Sequence, residues 1–348
     1  MEIGIGVGYW GLGVTKDDQL EIARQAEELG FDAVWVAEAY GSDAVSVLGH
    51  LAATTSRVKL GSAILQIPGR SAAMTAMSAA TLDQLSDGRF VLGLGASGPQ
   101  VSEGWHGVRF GRQLARTRDY VNVVRKALAR ERVEYEGETL TLPLPDGPGR
   151  SLKLTIAPAQ ERLPIVLAAM GPKNVALAGE IADGWLPTFF SPEHVAELRA
   201  PLIEGAEKAG RDPSAVAVIP QVAVCVDDDV DAARDTMRFI LGLYIGGMGS
   251  KKKNFYVELV ERYGFGEIAR EIQDLYLSGR KAEAEAALPA ELIDATCICG
   301  PADVVRARLD AFREAGVDQV LALPTPLPGQ KHVDQVRRLA EVAVPAAR

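Results

Sequence analysis

Glu38 closes the run "FDAVWVAE", and a carboxyl group at the end of an apolar segment is a candidate general acid or base. Glu103 and His106 stand three residues apart in "GASGPQVSEGWHG" and offer the same chemistry. Burial among apolar neighbours raises a carboxyl pKa, which lets it deliver a proton near neutrality. Capping or bridging a surface loop would use Glu103 and His106 equally well, and the residues alone leave this open. A third place, "AAMGPKN", puts Gly171 and Pro172 at a helix start beside Lys173 and Asn174. Unpaired backbone N–H groups there make an anion site, although an ordinary helix start with a solvated lysine fits the same residues. Trp10, Tyr40 and Trp105 either wall a pocket or belong to the core, and Lys251 to Lys253 read first as a solvated loop.

These groups need elements to bring them together. Strand and helix signals alternate along the chain. Glu2 to Val7 reads as a strand and Lys16 to Leu29 as a helix stopped by Gly30. "FDAVWVAE", "RVKLGSAI" and "FVLGLGAS" follow as strands, with helices over Asp43 to Thr54, Ala72 to Leu85 and Gly111 to Ala129. "VEYEGETLTL" predicts a hairpin excursion after the fourth helix. "LPIVLAAMGPKNVALAGEIADGWLP" resumes with strand, helix and strand, and "AVAVIPQVAVCV" supplies a seventh apolar run. A mainly helical insertion over about 227–294 precedes the last helix and an eighth strand in "PADVVRARLDAFREAGVDQVLALP". Eight strand-then-helix units predict an α/β fold of the (β/α)8 TIM-barrel class, forming one domain over 1–348. An open doubly wound sheet is the competitor, but "GVGYWGLG" does not fit its G-x-G-x-x-G turn. In the barrel, loops after the strands carry the chemistry, and here their apolar and glycine-rich ends suit a flat hydrophobic ligand.

Composition sets outer bounds. The 348 residues are 47% hydrophobic and 24% charged, which is the profile of a globular chain with a large core. A net charge of -9 disfavours a nucleic-acid phosphate backbone as partner. Cys225, Cys297 and Cys299 show no metal-ligand spacing and read as buried thiols, so no metal site is expected. No signal-peptide pattern or membrane-length apolar window is present, which points to a cytoplasmic chain without a membrane partner.

The order "DAVWVAE", "LGSAILQIPGRSAAMTAMSAATLDQLSDGRFVLGLGAS", "PIVLAAMGPKNVALAGEIADGWLP" and "AGVDQVL" resembles the luciferase-like superfamily of flavin- and deazaflavin-dependent oxidoreductases. The combination of "GSDAV", "GPQVSEGWHG" and "YIGGMG" looks like its coenzyme F420-dependent branch, related to methylenetetrahydromethanopterin reductase. The resemblance implies a non-prolyl cis peptide at Ala63–Ile64, backing the deazaflavin ring, with the apolar run Ile64, Leu65 and Ile67 buried by cofactor. Packing of Ile64 and Ile67 under inserted helices is the alternative.

Carried across position by position, the resemblance places Glu38 near the ring and Gln66 just after the bulge. Ala96 and Val101 fall at cofactor-contacting positions, and Met170, Gly171, Lys173 and Asn174 fall where a phosphate-bearing tail is held. Two departures stand out: Ala39 and Gly98 occupy places where the deazaflavin-dependent sugar-phosphate dehydrogenases have a histidine and a carboxylate. Alcohol dehydrogenation by that pair is therefore doubtful here. The implied reaction is hydride transfer at the deazaflavin C5 to or from a small-molecule substrate, with the proton supplied by Glu38, Glu103 or His106. The alternatives are an FMN-dependent two-component monooxygenase and a non-catalytic flavin-binding barrel. Family members are commonly dimers or tetramers, so a homo-oligomer is expected.

Overall fold

A computed structural model describes residues 1–344 apart from 12, 250, 252 and 253. Its centre is a curled parallel sheet. Glu2–Gly6, Ala33–Val36, Lys59–Ser62, Phe90–Gly95, Ile165–Ala168 and Gly184–Leu186 are its first six strands, each paired in parallel with the next. The first strand also pairs with the eighth, Gln319–Pro324.

The seventh apolar run explains how the two ends of the sheet meet. It is split into Ala217–Val218 and Gln221–Val226, where a single strand was expected. The first piece pairs with the sixth strand and the second with the eighth. Pro220 lies at the break and has no N–H to donate, while its carbonyl accepts from Leu321 at 2.9 Å. A proline between the two pairings lets one segment turn from one neighbour to the other.

Alternation along the strands fills both sides of the sheet. Trp35 and Ala33 point inward with Val166, Leu186, Ile219 and Leu321, forming a small cluster that plugs the ring. Val34 and Val36 instead join the larger layer between sheet and helices. The Trp35 indole N–H donates to Gln319 Oε1 at 2.8 Å, so this wide side chain is buried without an orphaned donor.

Four segments depart from the expected pattern or complete it. Tyr135–Glu136 and Thr141–Leu142 form the antiparallel hairpin. Between the seventh and eighth strands run the helices Val230–Gly242, Phe255–Arg262, Gly266–Leu277, Lys281–Ala286 and Ala290–Thr296. A short strand that the sequence reading passed over, Ile298–Gly300, follows them and pairs with the seventh strand. The helix His332–Ala343, also unanticipated, packs against Lys16–Glu28 after the last strand. Among the described residues no helix is long and apolar enough to cross a membrane.

The "LDQLSDGRF" part of the stretch that carries the resemblance lies at the start of the fourth strand. This is the end of the sheet opposite the loops that carry chemistry. The Arg89 guanidinium donates to the carbonyls of Val58 at 2.7 Å and Thr55 at 3.0 Å, and its Nε donates to that of Ser86 at 2.7 Å. Asp83, fully buried, accepts from the Gln160 backbone at 2.9 Å and side chain at 2.7 Å. The motif is thus a set of struts beneath the sheet.

Glu27 does similar work nearby. Its carboxylate accepts from the backbone N–H groups of Ser56, Arg57 and Val58 at 2.7–3.1 Å, tying the first helix to the third strand. Partial burial alone would raise its pKa, but the three N–H donors outweigh it and bring the value to about 2. The folded value lies below the unfolded one, so the contribution is complete above the unfolded value near 4.5 and is lost as pH falls toward 2. Glu27→Gln should lower stability at pH 7 and flatten the loss between pH 4.5 and 2. Urea unfolding across that range checks it, and an unchanged acid limb would refute the assignment.

Candidate functional site

The site is built where the third strand stops. Beyond Ser62 the Ala63–Ile64 peptide is cis, and Leu65–Gln66 then pairs with the fourth strand through Leu65↔Leu94 and Gln66↔Gly95. Ile67–Gly69 follows as a single turn of 3₁₀ helix.

Cofactor does not bury the whole apolar run. Leu65 and Ile67 lie inside the main core, and each contributes about 1.5–3 kcal/mol relative to exposure. Ile64 is the exception. Together with Ala63 it is only partly buried and packs on the cluster that plugs the ring. The strand pairing of Leu65 and Gln66 turns Leu65 into the layer between sheet and helices, leaving Ile64 and Ala63 as the apolar floor.

Glu38 anchors this segment. Its carboxylate accepts two hydrogen bonds from the Arg70 guanidinium, at 2.8 and 2.9 Å. It also accepts from the backbone N–H of Gln66 and of Ala44, both at 3.2 Å. Both side chains are largely enclosed, at 9% exposure for Glu38 and 16% for Arg70. Burial by itself would lower the Arg70 pKa, but Glu38 reverses this and holds it above its ordinary value. A carboxylate that accepts four hydrogen bonds is a clamp; donating a proton would break the two charge-assisted ones. The Tyr120 hydroxyl adds a donor to the Arg70 carbonyl at 3.1 Å.

Gln66 carries the clamp onward. It is 3% exposed, with its side-chain carbonyl 2.8 Å from His106 Nε2 and its amide nitrogen 3.4 Å from Ser97 Oγ. With the amide nitrogen facing Ser97, the carbonyl faces the imidazole, an arrangement that suits the Nε2–H tautomer of His106 as donor. His106 itself is half-buried. Glu38, Gln66 and His106, more than sixty residues apart in sequence at the extremes, are therefore joined in one network. Arg70, which completes it, had no signal in the sequence beyond its place next to the bulge.

Glu103 is not part of this network. It accepts the Phe110 N–H at 2.9 Å, lies 4.0 Å from Arg109, and its side chain is 44% exposed. The short helix Pro99–Gly104 turns it toward its own loop, away from the clamp. Ala96 and Val101 are half-buried on the segment leading from the fourth strand to that helix.

A second part lies beyond the fifth strand. The helix Pro172–Ile181 begins at Gly171 with no side-chain cap and proline at its first position; Asn174 and Val175 donate to the Gly171 carbonyl at 2.9 and 3.0 Å, so the Lys173 N–H is the first-turn donor left to an anion. Lys173 is exposed beside it, and Asn174 is half-buried. A cavity of about 210 Å³ adjoins this end, lined by Met170, Gly171, Pro172, Phe255, Glu258 and Arg262. Of the three lysines, Lys251 pairs with Asp274 at 2.7 Å, and Lys252 and Lys253 lie outside the described residues.

The three cysteines are buried, and burial pushes the thiols of Cys225 and Cys299 up to about 11 and about 12. That protonation makes them poor nucleophiles and poor metal ligands. Among the described residues no group of three or more His, Cys, Asp or Glu side chains is placed to hold a metal ion.

Comparison with known proteins bears on the family and the fold. The family model described as luciferase-like monooxygenase matches residues 6–319. A protein of Mycobacterium tuberculosis, provisionally named a coenzyme F420-dependent oxidoreductase, is 42% identical over 92% of this chain and 94% of its own. The 5,10-methylenetetrahydromethanopterin reductase of Methanolobus tindarius is 30% identical over 89% of this chain and 91% of its own. In fold, the chain is similar to the coenzyme F420 dependent tetrahydromethanopterin reductase from Methanopyrus kandleri, a TIM-barrel-like structure. The TM-score is 0.84 with 24% identity, covering 99% of this chain and 98% of that one. With the matched residues spanning the sheet and the loops that hold Glu38, Gln66 and His106, this chain belongs to the luciferase-like monooxygenase family.

Proposed function

We propose that the protein is a coenzyme F420-dependent oxidoreductase that transfers a hydride between the deazaflavin and a small organic substrate. The observation that carries this reading is the clamp of Arg70 and Glu38, which holds Gln66 and the Ala63–Ile64 floor beside His106. The names of the relatives support the same cofactor.

The residues present fit the group. Ile64 and Ala63 offer an apolar surface to a flat ring, and the uncapped start of Pro172–Ile181 with its adjoining cavity suits an anionic tail. Met170, Gly171, Lys173 and Asn174 would hold that tail, and Ala96 and Val101 would contact the cofactor. When bound, the deazaflavin supplies the hydride chemistry at C5. Glu38, held by Arg70 and two backbone N–H groups, fixes the floor. His106, its Nε2–H engaged by Gln66, presents Nδ1 as the group that takes or returns a proton.

Gln66 and His106 act as a unit. Gln66→Ala and His106→Ala are each expected to weaken F420 binding roughly tenfold, and the double variant no more than either alone. Fluorescence titration reads all three, and strictly multiplicative losses would separate the two residues.

The function itself is tested by titrating the purified chain with oxidised F420 and with FMN at low and moderate salt. F420 affinity at least tenfold above that for FMN supports hydride transfer. FMN preference would move the protein to the oxygen-activating members of the family, and binding of neither would remove the cofactor assignment.

A further inference from the structure

Three tyrosines gather where the inserted helices meet the end of the sheet. Tyr9 follows the first strand, Tyr244 lies in the turn Leu243–Gly247, and Tyr256 opens the helix Phe255–Arg262. Tyr244 and Tyr256 are 4.9 Å apart between ring centroids, and Phe189, after the sixth strand, lies 5.7 and 5.4 Å from them. The Tyr9 phenol is within electrostatic reach of Tyr244 and of Tyr40, and Tyr256 within reach of both Tyr244 and Tyr9. The three phenols thus gather at this end of the sheet, with Tyr40, two residues beyond Glu38, exposed beside them.

The element that brings Tyr244 here is unusual. Leu243–Gly247 is a turn of π helix, a form that recurs at functional sites. It belongs to the "YIGGMG" stretch. A Cβ on Gly246 would come within 2.4 Å of the Tyr276 side chain, so the glycine lets the π turn press against the helix Gly266–Leu277.

Elsewhere the buried hydroxyls find protein partners. Tyr120 meets Thr75 at 2.5 Å, and Tyr263 donates to the Phe189 carbonyl at 2.7 Å. Among the described residues, the hydroxyls of Tyr9, Tyr244 and Tyr256 have no such partner, although all three side chains are part-buried. Burial raises the pKa of each, followed by the neighbouring phenols, so they remain neutral donors. These hydroxyls are not among the fully enclosed side-chain atoms that lack a partner, so they face accessible space that a ligand or water fills. Among the described residues, the electrostatic neighbours of these phenols are one another and Tyr40, with no cation among them. Among those residues an anion would find hydrogen bonds here but no paired charge.

Resting on the oxidoreductase reading above, we propose that Tyr9, Tyr244 and Tyr256 form the substrate-recognition pole of the site and receive a neutral acceptor oxygen, so that the substrate is an uncharged carbonyl compound. Phe189 and the tyrosine rings pack against its apolar body, and the hydroxyls select the oxygen.

The test uses the F420-saturated protein and three probes of similar shape: cyclohexanone, methylenecyclohexane and cyclohexanecarboxylate. Ligand-observed NMR gives each affinity. Cyclohexanone should bind at least fivefold more tightly than the other two. The triple variant Y9F/Y244F/Y256F, which keeps the rings, should lose that preference while retaining its affinity for methylenecyclohexane. Equal binding of ketone and alkene by the wild type, a preference that survives in the triple variant, or tightest binding of the carboxylate would overturn the proposal. F420 affinity is titrated separately, and the probe series is repeated without cofactor. A ketone preference in protein that fails to bind F420 would retain the pole and reject only the cofactor reading.

Discussion

Glu38→Ala should destabilise the protein by about 3 kcal/mol and weaken F420 binding by at least roughly tenfold. The substitution removes the acceptor of both guanidinium bonds and strands Arg70 in a place where only 16% of its side chain is exposed. The backbone N–H groups of Gln66 and Ala44 lose their partner in the same step. An uncompensated cation costs more than the pair is worth. The double variant Glu38→Ala/Arg70→Ala should therefore be more stable than Glu38→Ala alone, since it removes the stranded charge, yet it should recover little F420 affinity because Gln66 remains unanchored. Urea unfolding and cofactor titration separate the two effects. If the double variant is destabilised by the sum of the two single losses, the clamp is not a coupled pair.

Gly93→Ala has the larger effect on folding and tests how the floor is held. A Cβ at this position would lie 1.8 Å from the Ser62 carbonyl oxygen, a backbone atom that cannot rotate away. The close approach has a purpose. Pairing between the third and fourth strands stops at Gly61↔Val91 and resumes at Leu65↔Leu94. Across the gap, the Ser62 hydroxyl donates to the Gly93 carbonyl at 2.9 Å and the Gly93 N–H donates to Ser62 Oγ at 2.8 Å. The side chain replaces the missing ladder and carries the chain into the Ala63–Ile64 step. Gly93→Ala should cost more than about 4 kcal/mol, enough to abolish soluble protein. Ser62→Ala leaves the space but orphans two buried backbone groups and should cost about 1–3 kcal/mol. Soluble yield and urea unfolding measure both, and a stable Gly93→Ala protein would show that the strands can separate there without loss.

Much of this protein is legible in its sequence. Strand and helix periods are local properties, and so the alternation, the hairpin and the helical insertion could be read from spacing alone. Glu38, His106 and the Gly171–Pro172 helix start stand out as candidates because they follow strands, where a parallel barrel places its working loops, whereas Gln66 is a candidate only through the family resemblance. Partnership was not legible. Nothing in the spacing of Glu38 and Arg70 says that they form a bidentate pair, and that pair makes Glu38 a clamp where a proton donor was one expectation. Burial of Leu65 and Ile67 by protein depends on a two-residue pairing with the fourth strand, which no run of apolar residues specifies. Tyr9, Tyr244 and Tyr256 lie in segments separated by more than two hundred residues at the extremes, and only the packing of the insertion over the end of the sheet makes their phenols neighbours. The sequence by itself determined the elements and the loops able to carry chemistry, because these depend on short-range pattern. Tertiary structure alone decided which side chains meet and which donors are left without acceptors, because those follow from contacts between distant parts of the chain.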